Sequence, residues 1–144
     1  MTDLKPPLLI YIAGPYRAET TWKRDQNIQR ARTWGLVVAK SGAYPVIPHS
    51  NTAHFDDEAP DTLWLSGTLE LLRRCDGILL TPGWTHSSGS KAEYEEALKL
   101  GLPFLDAEGW DNRGGAHIRE DIDEWLVKVA DWKDFQRAFG KPVT

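Results

Sequence analysis

The strongest chemical pattern in the sequence is a Ser/Gly-rich turn that leads into a helical pattern. Ser87-Ser88-Gly89-Ser90 offers hydroxyls and, at a helix start, backbone N–H groups that lack an internal partner. These groups and the helix dipole favour a bound phosphate or carboxylate. Glu93 follows about one turn into the helix and aligns with Ala97 and Leu100, on the rim of an apolar stripe. A carboxylate above an anion pocket can act as a nucleophile on an anomeric carbon.

These residues also have an ordinary structural interpretation. Ser87 could be a plain helix N-cap, and Glu93 could be one of three acidic residues near a helix start, with Glu95 and Glu96. Lys91 follows a single glycine by two residues, so the segment is not a Walker loop, and a dinucleotide fingerprint is also absent. Glu95 is rotated by roughly 200° from Glu93 on a helix, so we expect only Glu93 to join the apolar stripe.

A second group of candidate residues surrounds the end of the first predicted strand. Gly14 lacks a Cβ, so the backbone there can approach a ligand or adopt a positive φ. Tyr16 supplies a phenol and Arg17 supplies a fork of donors that suits phosphate. Either Tyr11 or Tyr16 could donate the hydrogen bond that keeps Glu93 ionised in an apolar setting. The alternative interpretation is a strand-ending turn with a solvated arginine.

The remaining candidates have weaker signals. Asp76 directly precedes a predicted strand and could be a second acidic group or a turn residue. Trp84 lies in the loop after that strand, where its ring could stack on a base. His49 and His54 lie five residues apart near acidic residues, which leaves a metal site as a distant alternative, although we expect neither metal nor cofactor. Cys75 adjoins a buried strand and is interpreted as a core residue.

The apolar pattern predicts alternating strands and helices that position these residues. Strands are predicted at 8–13, 44–48, 77–81 and 103–105, and helices at 20–40, from 61 through 72, at 88–100 and at 116–131. This alternation is typical of an α/β fold of three layers with a mostly parallel sheet of four to five strands. Ligands in such folds bind beyond the carboxyl ends of the strands. Residues 14–17, the long 48–60 loop and the 82–89 loop should therefore surround one cleft.

Size and composition exclude several classes of function. The 144 residues, 41% hydrophobic and 26% charged, predict one globular domain over residues 1–144. The net charge of −4 and the lack of a basic cluster argue against a nucleic-acid polymer as partner. A single cysteine excludes an intrachain disulfide and favours a reducing compartment. No signal-peptide core or membrane-length apolar stretch occurs, so we expect a cytoplasmic protein with no membrane partner.

Three motifs in the chain resemble those of the nucleoside 2-deoxyribosyltransferase superfamily. In chain order they are Tyr11-Ile12-Ala13-Gly14-Pro15-Tyr16, Cys75-Asp76-Gly77 and Ser87-x-Gly89-x-x-x-Glu93-x-x-x-Ala97. The resemblance spans roughly residues 8–105. It is closer still to the nucleoside 5′-monophosphate N-glycosidases and to small uncharacterised bacterial and phage proteins of the same fold. The third motif, with its two spacings of four residues, is the most specific of the three.

The resemblance implies a flavodoxin-like Rossmann variant that cleaves the N-glycosidic bond of a nucleoside or nucleotide. It assigns Glu93 the attack on C1′, with a glycosyl-enzyme intermediate, and Asp76 the positioning or protonation of the substrate. Ser87 stands where many transferases have an aspartate, as in the nucleotide-hydrolysing branch, where this serine holds the 5′-phosphate. A nucleoside 5′-monophosphate is therefore the favoured substrate. The family also implies a homo-oligomer in which a neighbouring subunit closes the site.

Two other functions stay open from the sequence alone. One is base exchange between deoxyribosides, which is the transferase reaction itself and requires an acceptor base. The other is a nucleotide-binding or sensing module that keeps the fold without catalysis.

Overall fold

Four short parallel strands form the sheet at the centre of the protein. A computed structural model describes residues 5–110 and 115–140. The strands are β1 (Leu9–Ala13), β2 (Tyr44–Val46), β3 (Gly77–Leu80) and β4 (Phe104–Asp106). They pair in the order β2-β1-β3-β4, so that Tyr11 of β1 lies between Val46 of β2 and Ile78 of β3.

The helices cover both faces of this sheet. They are α1 (Thr21–Lys40), α2 (Pro48–Asn51), α3 (Asp61–Arg73), α4 (Ser88–Leu100) and α5 (Gly115–Phe139), and a 3₁₀ turn spans Trp84–His86. Helices α1 and α5 share one hydrophobic cluster with the sheet, and α3 and α4 share the other. This arrangement is a three-layer, flavodoxin-like α/β fold, and it confirms the predicted fold class.

Alternate residues of β1 serve the two faces of the sheet, as the period of a strand requires. Ile10 and Ile12 pack towards α1 and α5, whereas Tyr11 and Ala13 pack towards α3 and α4. All four side chains are fully buried. The continuous apolar run in this segment therefore reflects a central strand with both faces covered. The alternation of side chains along β1 also directs the phenol of Tyr11 towards the layer that contains α4.

Cys75 belongs to the cluster on the α3 and α4 side of the sheet. Burial, with a smaller contribution from the charge of Asp76, raises the pKa of the Cys75 thiol to about 12. The thiol therefore stays protonated at neutral pH, which confirms its interpretation as a core residue.

The second strand is shorter than predicted. It ends at Val46, because Pro48 already occupies the start of α2, where its missing N–H and fixed φ are tolerated. Its position at the edge of the sheet agrees with the prolines in its sequence. The next helix, α3, begins at Asp61 as predicted, and Pro60 holds its cap position.

The last helix is longer than predicted. Ile122, Trp125 and Val129 lie within the predicted range 116–131 and pack in the core against the sheet, but the helix continues to Phe139. Trp132 reaches the cluster on the other face of the sheet, and this contact supports the additional turns. Across the described ranges, no helix has both the length and the apolarity needed to cross a membrane.

Candidate active site

A cleft of about 740 Å³ opens at the carboxyl ends of β1, β2 and β3. Its wall comprises residues 14–17, Pro48, His49, Thr52, Asp56, Asp61, Thr62, Trp64, Leu65, Thr68, residues 86–90, Ala92 and Glu93. The loops after β1, β2 and β3 therefore meet at one cleft, as the position of their strands predicts. The N-terminal turns of α3 and α4 complete the wall.

Glu93 is the buried carboxylate of the cleft. It lies on the inner face of α4, one turn before the fully buried Ala97, and is only 9% exposed. Its Oε2 accepts a hydrogen bond from the hydroxyl of Tyr11. Burial raises the pKa of Glu93 to about 7, although the hydrogen bond from Tyr11 opposes this shift. Both protonation states are therefore populated near neutral pH.

Tyr11 is the residue that holds Glu93 in place. Burial raises the pKa of Tyr11 well above its usual value, and the neighbouring charge of Glu93 and their shared hydrogen bond raise it further. The phenol therefore remains protonated and acts as the donor of this bond. Of the two tyrosines that the sequence offers for this role, the structure selects Tyr11.

Ser87 and Ser90, at the start of α4, differ in their hydrogen bonding. Ser87 Oγ caps the helix by accepting a hydrogen bond from Ser90 N at 3.2 Å. Ser90 Oγ is buried and has no hydrogen-bond partner among the residues that the structure describes. Both serines line the cleft. Gly89 lies between them, and an added Cβ there would meet nothing within 4 Å, so packing does not require this glycine.

The glycine after β1 is required by packing between strands. A Cβ added to Gly14 would collide with the hydroxyl of Thr81, which follows β3. Gly14 lines the cleft, but the close approach of these two backbone segments already explains its lack of a side chain.

Arg17 also lines the cleft, and its Nη2 lies 2.9 Å from Asp61 Oδ1 in an exposed ion pair across the cleft mouth.

Tyr16 connects the loop after β1 to the loop after β2. Its hydroxyl donates to Asp56 Oδ1 at 2.6 Å and accepts from the backbone N–H of His54 at 2.9 Å. Burial raises the pKa of Asp56, but the bond from Tyr16 and the positive charge of Arg24 outweigh it, so the pKa is lowered. The proton of Tyr16 is therefore committed to Asp56 and is not available to Glu93.

Two wall residues, His49 and Trp64, were not predicted from the sequence to contact a substrate. His49 is 8% exposed, and its Nε2 lies 2.9 Å from Gly14 O. Trp64 lies in α3 and donates from Nε1 to the backbone oxygen of Asp56 at 3.2 Å. In the sequence, the unusual length of the loop between β2 and α3 was the feature that indicated a functional role for this part of the wall.

The two histidines of this loop do not converge on a metal. Nε2 of His54 lies 2.6 Å from Asp25 Oδ1, whereas that of His49 faces backbone carbonyls. Within residues 5–110 and 115–140, no group of three or more His, Cys, Asp or Glu residues is arranged to hold a metal ion.

Asp76 lies away from the cleft, at the amino end of β3. Its Oδ2 accepts from the backbone N–H of Leu9 at 2.8 Å and lies 3.2 Å from Lys133 Nζ of α5. It therefore joins the amino ends of two strands to a helix and does not line the cleft. The structure does not bring Asp76 together with Glu93, because a residue that precedes a parallel strand lies at the edge opposite the ligand site.

Trp84 is also separated from the cleft. Its ring is buried against Tyr94, and its Nε1 donates to Asp106 Oδ1 at 2.9 Å. The ring is therefore not placed to stack on a base.

Glu108 accepts from the backbone N–H of Gly83 at 2.9 Å and from the hydroxyl of Thr85 at 2.9 Å. The segment after β4 thus fixes the loop from which α4 begins.

Residues 8–106 match the sequence model of a family described as a domain of unknown function, DUF7768. The chain belongs to this family. A comparison with curated proteins found no match. The matched segment begins just before β1 and ends with β4, and it contains all the residues that line the cleft.

The cleft of this DUF7768 protein places a buried carboxylate without a counter-charge beside the N-terminus of a helix. Among the described wall residues, Asp56 lies near Arg24 and Asp61 pairs with Arg17, whereas Glu93 has no cationic partner. A carboxylate without a counter-charge is free to stabilise a positive charge that develops on a substrate. The first turn of α4 lies beside it and favours an anion.

Proposed function

We propose that this protein cleaves the N-glycosidic bond of a nucleoside 5′-monophosphate, with Glu93 as the nucleophile. The observation that carries the proposal is the buried Glu93 carboxylate, which faces the cleft and is held by the Tyr11 hydroxyl. The resemblance of the Ser87-x-Gly89-x-x-x-Glu93 motif to N-glycosidases of nucleoside 5′-monophosphates supports the same conclusion.

The reaction takes two displacement steps at C1′. Ionised Glu93 attacks C1′, the C1′–N bond breaks, and the base leaves with the bonding electrons and takes a proton from solvent. Water then attacks C1′ of the glycosyl ester and loses a proton to solvent, while the bond to Glu93 breaks and the carboxylate is regenerated. The sum is the addition of one water, which yields the free base and a sugar 5-phosphate. The carboxylate stabilises the oxocarbenium-like charge in both steps.

The first turn of α4 is the proposed phosphate subsite. Ser90 Oγ is buried beside the cleft with no partner among the described residues, which is costly unless a ligand completes its hydrogen bonding. Ser87 Oγ accepts from the helix backbone, so its proton remains available for a phosphate oxygen. A phosphate held here would fix the position of C1′ relative to Glu93, and such positioning can supply several kcal/mol of the barrier.

A nucleotide-binding module without turnover is the second candidate. The leaving base benefits from an acid, yet Asp56 and Asp61 of the described wall are engaged with neighbouring side chains. Asp76 lies at the other edge of the sheet. The cleft therefore offers a nucleophile and an anion subsite but no free second carboxyl group among the described residues, which is the arrangement that a binding module could retain.

The deciding experiment is chromatographic detection of free base from a panel of ribo- and deoxyribonucleoside 5′-monophosphates, with and without an acceptor base. We expect the wild type to release base and Glu93→Ala to release none. Glu95→Ala is the matched control, because Glu95 is exposed on the same helix. Release only with an acceptor would indicate a transferase. Nucleotide binding without release under any condition would contradict the hydrolytic proposal and support the binding module.

A further inference from the structure

His49 is held in one tautomer by two backbone carbonyls. Its Nε2 lies 2.9 Å from Gly14 O and 3.0 Å from Pro15 O. Because carbonyl oxygens only accept hydrogen bonds, Nε2 carries the proton. Burial lowers the pKa of His49, although the two carbonyls oppose this shift, so the ring is neutral at pH 7. In this tautomer Nδ1 has no proton and is a hydrogen-bond acceptor.

The Nδ1 acceptor of His49 remains available to a ligand. It accepts no hydrogen bond from the residues that the structure describes, and it is not fully shielded from solvent. The ring lines the cleft, with its centroid 5.6 Å from that of Tyr16 and its plane at 73° to it. This wall therefore presents an acceptor beside an aromatic surface, and flat heteroaromatic ligands suit such surfaces.

The part of the cleft near His49 contains a second acceptor. Asp56 contributes a carboxylate to this wall, and Tyr16 directs its proton to that carboxylate. A ligand group that meets these two acceptors must therefore supply N–H or O–H donors. A carbonyl group in the same place would leave two acceptors facing each other without a proton between them.

The strand order determines which part of a nucleotide reaches His49. In the proposed function C1′ lies at Glu93 and the phosphate lies at the start of α4, which follows β3. His49 belongs to α2, which follows β2, and β1 lies between β2 and β3. The base, which extends from C1′ away from the phosphate, would therefore lie on the His49 side of the cleft.

We propose that Nδ1 of His49 accepts a hydrogen bond from the exocyclic amino group of a base, and that the cleft consequently prefers adenine and cytosine to their oxo counterparts. The placement of the base rests on the proposed function, whereas the tautomer of His49 does not. The preference should be about tenfold in affinity, the usual effect of one hydrogen bond gained against one acceptor left unpaired.

The test measures binding by calorimetry, which does not depend on turnover. The ligands are the 5′-monophosphates of adenosine, inosine, cytidine and uridine, in ribose and deoxyribose forms. His49→Gln keeps an N–H near the Nε2 position and removes the acceptor at Nδ1, whereas His49→Asn keeps an acceptor near Nδ1 and cannot reach both carbonyls. Thermal unfolding of each variant identifies any loss of folding.

We expect the wild type to prefer the amino nucleotide of each pair, His49→Gln to lose the preference, and folded His49→Asn to retain part of it. Equal affinities in the wild type, a preference for the oxo nucleotides, no binding of any ligand, or an unchanged preference in folded His49→Gln would each overturn the proposal. If selective binding occurs without base release, the proposed function fails and the role of His49 stands. If base is released equally from both members of each pair, the function stands and the role of His49 fails.

Discussion

At the scale of single residues, the site depends on one carboxylate that the protein buries without a cation. Burial of Glu93 disfavours its charged form, and the hydrogen bond from Tyr11 partly compensates. The resulting pKa of about 7 lies far above the ordinary value of 4.5. A nucleophile with such a pKa is more basic than a surface glutamate but still ionised in a substantial fraction at neutral pH.

The pH dependence of base release should reveal how the hydrogen bond from Tyr11 affects the pKa of Glu93. Because only ionised Glu93 attacks, kcat/KM should rise with pH and level off above about 7. Tyr11→Phe removes the interaction that lowers the pKa of Glu93, so the rising limb should move to higher pH. Tyr16→Phe is the control, because its hydroxyl contacts Asp56, and its limb should keep the wild-type position whatever its rate. An unmoved limb in Tyr11→Phe would show that another group titrates.

Burial of Glu93 should also make the stability of the protein depend on pH. The folded pKa of about 7 exceeds the ordinary value of 4.5, so between these values the folded state binds the extra proton and stability falls as pH rises. Glu93→Gln removes the titration. We expect it to be more stable than the wild type by on the order of 1–3 kcal/mol at pH 8, with a smaller difference at pH 5. Urea denaturation at several pH values measures this, and a difference that is constant with pH would refute it.

At the scale of elements, the cleft depends on how closely the segments after β1 and β3 approach each other. Gly14 and Thr81 lie side by side at the carboxyl edge, and Thr81 N donates to Ala13 O at 2.8 Å. This contact continues the pairing of the two strands and sets the starting direction of both cleft loops.

Gly14→Ala should destabilise the protein by about 1–3 kcal/mol, because its Cβ would collide with the Thr81 hydroxyl. Gly67→Ala is the matched control, since Gly67 lies inside α3 with open space around it, and this change should stabilise by up to about 1 kcal/mol. Adding Thr81→Ala to Gly14→Ala should restore part of the loss. Denaturation midpoints of these three variants and of Thr81→Ala alone measure these effects. If the costs of Gly14→Ala and Thr81→Ala simply add in the double variant, the two side chains do not collide.

At the scale of the whole molecule, the carboxyl ends and the amino ends of the parallel strands have different roles. The carboxyl edge holds the cleft, whereas at the amino edge Asp76 ties β1 and β3 to α5 through Leu9 N and Lys133. The Asp76 contacts contribute to stability because the partly buried backbone N–H of Leu9 has an acceptor there.

Asp76→Ala should therefore lower the free energy of unfolding by about 1–3 kcal/mol, since it leaves the Leu9 N–H unpaired. The kcat/KM for base release should remain within a few-fold of the wild type at a temperature where the variant is folded. Lys133→Ala, which loses only a partly exposed ion pair, should cost about 1 kcal/mol or less. A folded Asp76→Ala variant that has lost base release would instead support the catalytic role that the family resemblance implies.

Local patterns in the sequence were sufficient for the fold class and for the position of Glu93. The apolar runs and helical spacings predicted α4 at 88–100 and the alignment of Glu93 with the buried Ala97. These features depend on residues close together in the chain, so the period of a helix or strand is enough to predict them. The rule for parallel sheets then predicted which loops meet at the cleft.

Only the tertiary structure decided the partners of these residues. Tyr11, which is 82 positions away from Glu93, donates to it, whereas Tyr16 turns to Asp56. Trp84 turns into the core, and His49 fits against two carbonyls that follow β1. Each partnership joins segments from different strands, so it depends on strand order and on which face of the sheet a side chain occupies. A local sequence pattern contains neither quantity, because long-range contacts are set by how the layers pack.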